Sequence, residues 1–187
     1  MKISTYEAQF ETILSGKNKL SPYDEEAYFN YVKLNDKRLK RWYKTGKIIP
    51  ALEKHISTID QAQKWLLITE PWCGDAAHVQ AFISKLVDLN ELIELEIQNR
   101  DAPASEIDHY LTNGSRSIPK LIVRDSRGQD LFVWGPRPEG AQKIHLSHIN
   151  NDDLTKEEKK IALQNWYNKD KGETFQEELL ALFRALK

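Results

Sequence analysis

The sequence predicts an α/β fold in which a mixed four-stranded sheet is flanked by helices and preceded by extra N-terminal helices. Three observations carry this. The first sixty residues show helical apolar periodicity, a strand–helix–strand run extends from Trp65 to Ile97, and two later strands flank the turn Asp125-Ser126-Arg127-Gly128. With 187 residues, at roughly 100–200 residues per domain, the chain reads as one domain. No repeat or Pro/Gly/Ser-rich linker divides it. The expected parts are a helical extension over about 1–62, a core over about 63–136 and a helical part over about 137–187.

The elements follow in order. Tyr6, Phe10, Ile13 and Leu14 make one apolar stripe of a short helix. Ser21-Pro22 is expected to open a second helix as N-cap and first residue, with Asp24 near its positive end. That helix carries Tyr28, Tyr31, Val32, Leu39, Trp42 and Tyr43 and stops near Gly46. A third, after Pro50, aligns Leu52, Ile56 and Ile59. The unbroken apolar run at 65–69 reads as a buried strand, and the helix after it carries Val79, Phe82, Ile83 and Leu86. Ile93, Leu95 and Ile97 alternate with Glu94 and Glu96, the pattern of a half-exposed edge strand over 93–97. A short helix is expected after Pro103, stopped by Asn113-Gly114. Strands over 118–124 and 130–134 should form an antiparallel hairpin. Thr155-Lys156-Glu157-Glu158 and Thr174-Phe175-Gln176-Glu177 both fit the capping box, and Leu179, Leu182, Phe183 and Leu186 form a last apolar face.

Composition excludes several classes of function. Hydrophobic residues are 40% of the chain and charged ones 29%, and 27 basic side chains against 28 acidic ones leave a net charge of −1. Neither nucleic acid nor membrane is therefore expected as a partner. The basic run Lys33, Lys37, Arg38, Lys40, Arg41, Lys44 and Lys47 reads as a solvated face with Trp42 and Tyr43 turned inward. The single cysteine, Cys73, rules out an internal disulfide and a multi-cysteine metal site. His145 and His148, followed by Asp152 and Asp153, lack a third ligand at fixed spacing, so no metal is expected. With no apolar leader and no transmembrane-length stretch, a cytoplasmic, reducing location is expected. Walker, dinucleotide and serine-elbow motifs are absent, and Val79 stands where a phosphatase loop needs arginine.

Cys73 is the leading chemical candidate. At a strand–helix junction, unpaired N–H groups and the helix dipole favour its thiolate, while the Asp75 carboxylate opposes it. His78, one turn beyond Asp75, reads as a surface histidine. Arg116 and Ser117 read either as a contact for an anionic thiol or as a solvated loop. Trp134-Gly135-Pro136-Arg137-Pro138 reads as the end of the hairpin and the start of a helix, with Arg137 at the functional edge of the sheet as the alternative.

Trp72-Cys73-Gly74-Asp75-Ala76 resembles the Trp-Cys-Gly-x-Cys segment of thioredoxin-like proteins, and Ile118-Pro119 resembles their cis-proline loop. The likeness is greatest to bacterial members with helices before the core and an acidic residue after the glycine, and it covers about residues 60–135. It implies a thioredoxin-like fold with sheet order 2-1-3-4 and a cis Ile118–Pro119 bond. It also implies catalytic Cys73, with Trp72, Gly74, Asp75, Ile118 and Pro119 as the surface that binds substrate. Two positions depart from the family. Ala76 replaces the resolving cysteine, and Leu67 stands where many members carry a buried acid. Ordinary dithiol activity is therefore not expected.

Three uses of the thiol follow. One is monothiol exchange with an external resolving thiol, through a partly exposed, reactive Cys73. Another is redox sensing through sulfenic acid. The third is a redox-inactive module that binds through the Ile118–Pro119 groove. A low-molecular-weight thiol as co-substrate is the only cofactor implied, and the partner is a protein or small-molecule thiol or disulfide.

Overall fold

The computed structural model describes residues 1–16, 20–149 and 151–186. Helices α1 (Ile3–Leu14), α2 (Glu26–Thr45) and α3 (Pro50–Ser57) precede strand β1 (Gln63–Thr69), helix α4 (Ala76–Val87) and strand β2 (Ile93–Asn99). Strands β3 (Lys120–Arg124) and β4 (Asp130–Trp134) follow, then helices α5 (Glu139–Ile149), α6 (Lys156–Asp170) and α7 (Glu173–Ala185). The sheet order is β2-β1-β3-β4. β1 pairs parallel with β2 and antiparallel with β3, and β3 pairs antiparallel with β4. This is a thioredoxin-like α/β fold with extra N-terminal helices.

Successive residues of a strand face opposite sides, and β1 is apolar on both. Trp65 and Leu67 enter the larger core with Tyr6, Phe10, Leu39, Phe82, Phe175 and Phe183. Leu66 and Ile68 enter a smaller cluster with Cys73, Ala76, Ile107, Ile118 and Ile122. The thiol therefore belongs to the minor layer of the core. At the outer edge of the sheet, β2 keeps Glu94 and Glu96 exposed. The Met1 backbone covers part of that edge: its carbonyl accepts from Ile97 N (2.8 Å) and its amine donates to Ile97 O (2.7 Å). No helix among the described residues is long and apolar enough to cross a membrane.

Several local expectations fail. Ser21-Pro22 does not open α2, whose first turn begins at Glu26. Residues 20–23 instead form a turn, and the Tyr23 hydroxyl reaches Glu70 (3.4 Å). The helix expected after Pro103 is a single 3-10 turn, Ile107–His109, anchored by one buried side chain, Ile107. Asn113 and Gly114, both at positive φ (49° and 77°), form the tip of a tight turn bridging Thr112 and Ser115.

The Thr155–Glu158 capping box is present, but Thr174 caps nothing. Gly172 (φ 81°) is the N-cap of α7, and the Asp170 carboxylate supplies the acceptors, taking Gly172 N (3.1 Å), Thr174 N (3.2 Å) and the Thr174 hydroxyl. The apolar face of α7 is carried by Phe175, Leu179, Leu180 and Phe183, while Leu186 lies past the helix end and is exposed.

Candidate functional site around Cys73

The loop leaving β1 turns tightly, with Cys73 N donating to Glu70 O (2.9 Å), and α4 begins three residues beyond the cysteine. Glu70 ties the loop down: Oε1 accepts from Asp101 N (3.0 Å) and Oε2 from Asn99 Nδ2 (3.1 Å). From the opposite side, buried Asn35 on α2 donates to Pro71 O (3.0 Å). Cys73 Sγ faces the carbonyl of Ile118 at 3.5 Å, and the Ile118–Pro119 bond is cis. Two segments 45 residues apart thus meet at the sulfur.

The expected partial exposure of Cys73 is not found; the residue is 6% exposed. Its thiol is pushed up to about 12, first by burial and then by the Asp75 carboxylate. The amides of Ala76 and Asp75 at the start of α4 do pull it down, as does Arg137, but the first two causes win.

Asp75 is clasped from two sides. Tyr167 on α6 donates its hydroxyl to Oδ1 (2.8 Å), and Arg137 Nε lies 2.8 Å from Oδ2, with both ionic side chains largely buried. Arg137, in the segment between the hairpin and α5, thus reaches the residue two positions after the cysteine. His78 is buried rather than on the surface. Its Nδ1 accepts from Trp42 Nε1 (3.0 Å) and its ring stacks on Tyr167 at 4.1 Å and 4°. Burial holds its pKa down at about 3. Trp72 is met edge-on by Tyr28 (5.8 Å) and covered by the Arg100 guanidinium (4.7 Å).

These side chains wall a cleft of about 1460 Å³ that reaches Cys73, Gly74, Asp75 and Ile118 on its floor and takes α2 and α6 as its sides. Pro119 is not on the cleft wall; behind it, Gly135 (φ 118°) comes so close that a Cβ there would sit 2.2 Å from Pro119 O. Arg116 does line the cleft, but it is already paired with Asp108 (3.1 Å) and Asp101 (3.6 Å). Sequence reasoning missed Tyr167 and the part played by Arg38. Arg38 lies against Gly74, where a Cβ would come within 3.3 Å of Nη1. Spacing from Cys73 could not have marked either. The one available hint was the interleaving of arginines with Trp42 and Tyr43 on α2. Among the described residues no group of three or more His, Cys, Asp or Glu is arranged to hold a metal ion.

A family model described as thioredoxin matches residues 21–167. Of solved structures, a protein of unknown function from Pseudomonas aeruginosa is similar at 18% identity and TM-score 0.59, covering 87% of each chain. An HIV epitope-scaffold is similar at 16% identity and TM-score 0.57 over 100% of each chain. At such identities these two speak for the fold alone. No curated protein sequence gives a significant match. The match from residue 21 to residue 167 takes in α2, the sheet and most of α6, and the chain belongs to the thioredoxin family.

Proposed function

We propose that the protein carries out monothiol thiol–disulfide exchange through Cys73, in a reducing compartment, with a separate thiol as the resolving partner. The observation that carries this reading is the placement of Sγ. Cys73 lines an open cleft, and its Sγ sits between the start of α4 and the Ile118 carbonyl. Cys73 gives up its proton and attacks one sulfur of a disulfide RSSR. The Cys73–S–SR bond forms, the S–S bond breaks, and RS⁻ leaves and takes up a proton. A second thiol R′SH then attacks the mixed disulfide, releasing RSSR′ and returning the Cys73 thiol. Ala76 supplies no internal thiol for that second step.

A second reading, a redox-inactive module binding through the Ile118–Pro119 groove, is favoured by one observation. Burial pushes the thiol up to about 12, so the thiolate is scarce at neutral pH. Intact-mass measurement after incubation with bis(2-hydroxyethyl) disulfide at about pH 8.5 separates the two. Exchange predicts one mixed-disulfide adduct, reversed by added thiol and absent in Cys73→Ser. An adduct that appears only after urea unfolding would favour the binding module.

A further inference from the structure

The charge of the cleft is at odds with that of the chain. The whole protein has a net charge of −1, yet the residues lining the cleft include seven Lys or Arg and three Asp or Glu. Each of those carboxylates is already neutralised locally. Asp75 pairs with Arg137, Asp101 with Arg100 and Arg116, and Glu157 with Lys160 at 3.8 Å. What remains is on α2: Lys37, Arg38 and Arg41 line the cleft, and among the described residues none has a carboxylate within ion-pair distance.

Arg38 is the most telling of the three. Its guanidinium lies beside Gly74, next to Cys73 in the chain. Nη1 donates to the amide oxygen of Asn35 (2.9 Å), and Nε is buried with no acceptor. Arg41, three residues on and so on the same helix face, is held over the Trp42 ring at 4.3 Å while Nη2 donates to Asn168 Oδ1 (2.8 Å). Asp75 acts on Arg38 only through space. A half-buried guanidinium with one N–H unsatisfied and no carboxylate in contact is costly unless an anion completes it, and the planar fork of arginine suits a carboxylate or phosphate.

We propose that Arg38, with Arg41, is the oxyanion subsite for a low-molecular-weight thiol, binding its carboxylate or phosphate on the α2 wall while its sulfur lies over Cys73. The inference rests on the thiol-exchange reading and moves anion recognition from Arg116, whose charge is matched, to α2. A cleft of about 1460 Å³ exceeds the roughly 300–1,000 Å³ of most small-ligand sites. It has room for a molecule with its reactive sulfur at one end and its charge at the other.

The test compares rates of adduct formation at Cys73 with three small disulfides at constant ionic strength. They are 3,3′-dithiodipropionate (anionic), bis(2-hydroxyethyl) disulfide (neutral) and cystamine (cationic), and oxidised coenzyme A serves as the phosphate arm. One charge-assisted contact corresponds to about a tenfold preference for the anionic probe over the neutral one. Arg38→Gln should abolish that preference, and the solvent-exposed Arg41→Gln, which carries little risk to folding, should reduce it. Equal rates for all probes, or a preference unchanged in both variants, would overturn the subsite and leave the exchange reading intact. A parallel titration of Cys73→Ser, following tryptophan fluorescence, reads anion binding without any covalent step. Saturable binding of 3,3′-dithiodipropionate or oxidised coenzyme A there, lost in Arg38→Gln, supports the subsite even if exchange fails, and its absence overturns it. Whichever of these two probes binds more tightly identifies the oxyanion as carboxylate or phosphate.

Discussion

Tyr167 and Asp75 stand 92 residues apart and meet in a hydrogen bond of 2.8 Å, from the hydroxyl on α6 to the carboxylate at the start of α4. The same carboxylate pairs with Arg137 and is the second cause of the raised Cys73 thiol. One side chain therefore fastens the C-terminal helices to the site and adds to the burial that raises the thiol.

Asp75→Asn should separate these two effects. Removing the charge lowers the Cys73 pKa from about 12, though not to the free value of roughly 8.5, because burial is the larger cause. Alkylation at about pH 8 should accelerate. Leaving Arg137 without its partner should cost about 1–3 kcal/mol of stability. Iodoacetamide rate against pH, with urea midpoints alongside, checks both. An unchanged rate profile would show that Asp75 does not set the thiol.

His78 predicts an acid-labile fold. Its folded-state pKa, about 3, lies below the roughly 6.5 of the unfolded chain. The stabilisation is complete above about pH 6.5 and is lost as pH falls towards about 3, because the unfolded chain takes up a proton that the fold excludes. The contribution to the slope approaches roughly 1.4 kcal/mol per pH unit. Urea titrations at several pH values, wild type against His78→Gln, read the difference. Parallel profiles would contradict the burial argument.

Ala76→Cys restores the family spacing from Cys73. Ala76 is 2% exposed and packs beside Cys73 in the same small cluster, so the extra sulfur should cost about 1 kcal/mol of overpacking. Mild oxidation of the folded variant should remove the mass of two hydrogens and protect both thiols from alkylation. Two thiols that stay free would mean that their geometry does not permit a bridge.

Gly135→Ala should be among the more damaging surface-loop substitutions. Its φ of 118° and the 2.2 Å approach of a Cβ to Pro119 O act together. A loss of about 3 kcal/mol or more is expected in thermal unfolding, with Cys73 becoming more accessible as the Ile118–Pro119 segment shifts. A variant of native stability would show that this loop yields freely.

The parts of this molecule legible in its sequence are those written in neighbouring residues. The alternation of Ile93 to Ile97 marked an edge strand, the run at 65–69 marked a buried one, and Trp72-Cys73-Gly74 with Ile118-Pro119 marked two segments that meet at the Cys73 sulfur. Failures came where a distant partner outweighed a local signal. Asp170 took the capping role expected of Thr174, Tyr23 was drawn to Glu70 where Pro22 was expected to start a helix, and Tyr167 covered the ring of His78. The exposure expected of Cys73 failed for the same reason. Helix-end chemistry is local, whereas the burial that outweighs it comes from side chains distant in sequence, among them Ile107, Ile118 and Ile122.

The depth of Cys73 also governs what two copies of the protein can do to each other. A disulfide needs Cβ atoms about 3.5–4.5 Å apart, and a sulfur 6% exposed on a cleft floor cannot reach its counterpart in another intact molecule. Because the chain has one cysteine, a covalent dimer on a non-reducing gel can arise only after the packing around Cys73 has loosened. The dimer band is thus a built-in gauge of unfolding during storage, heating or oxidation, and needs no added label.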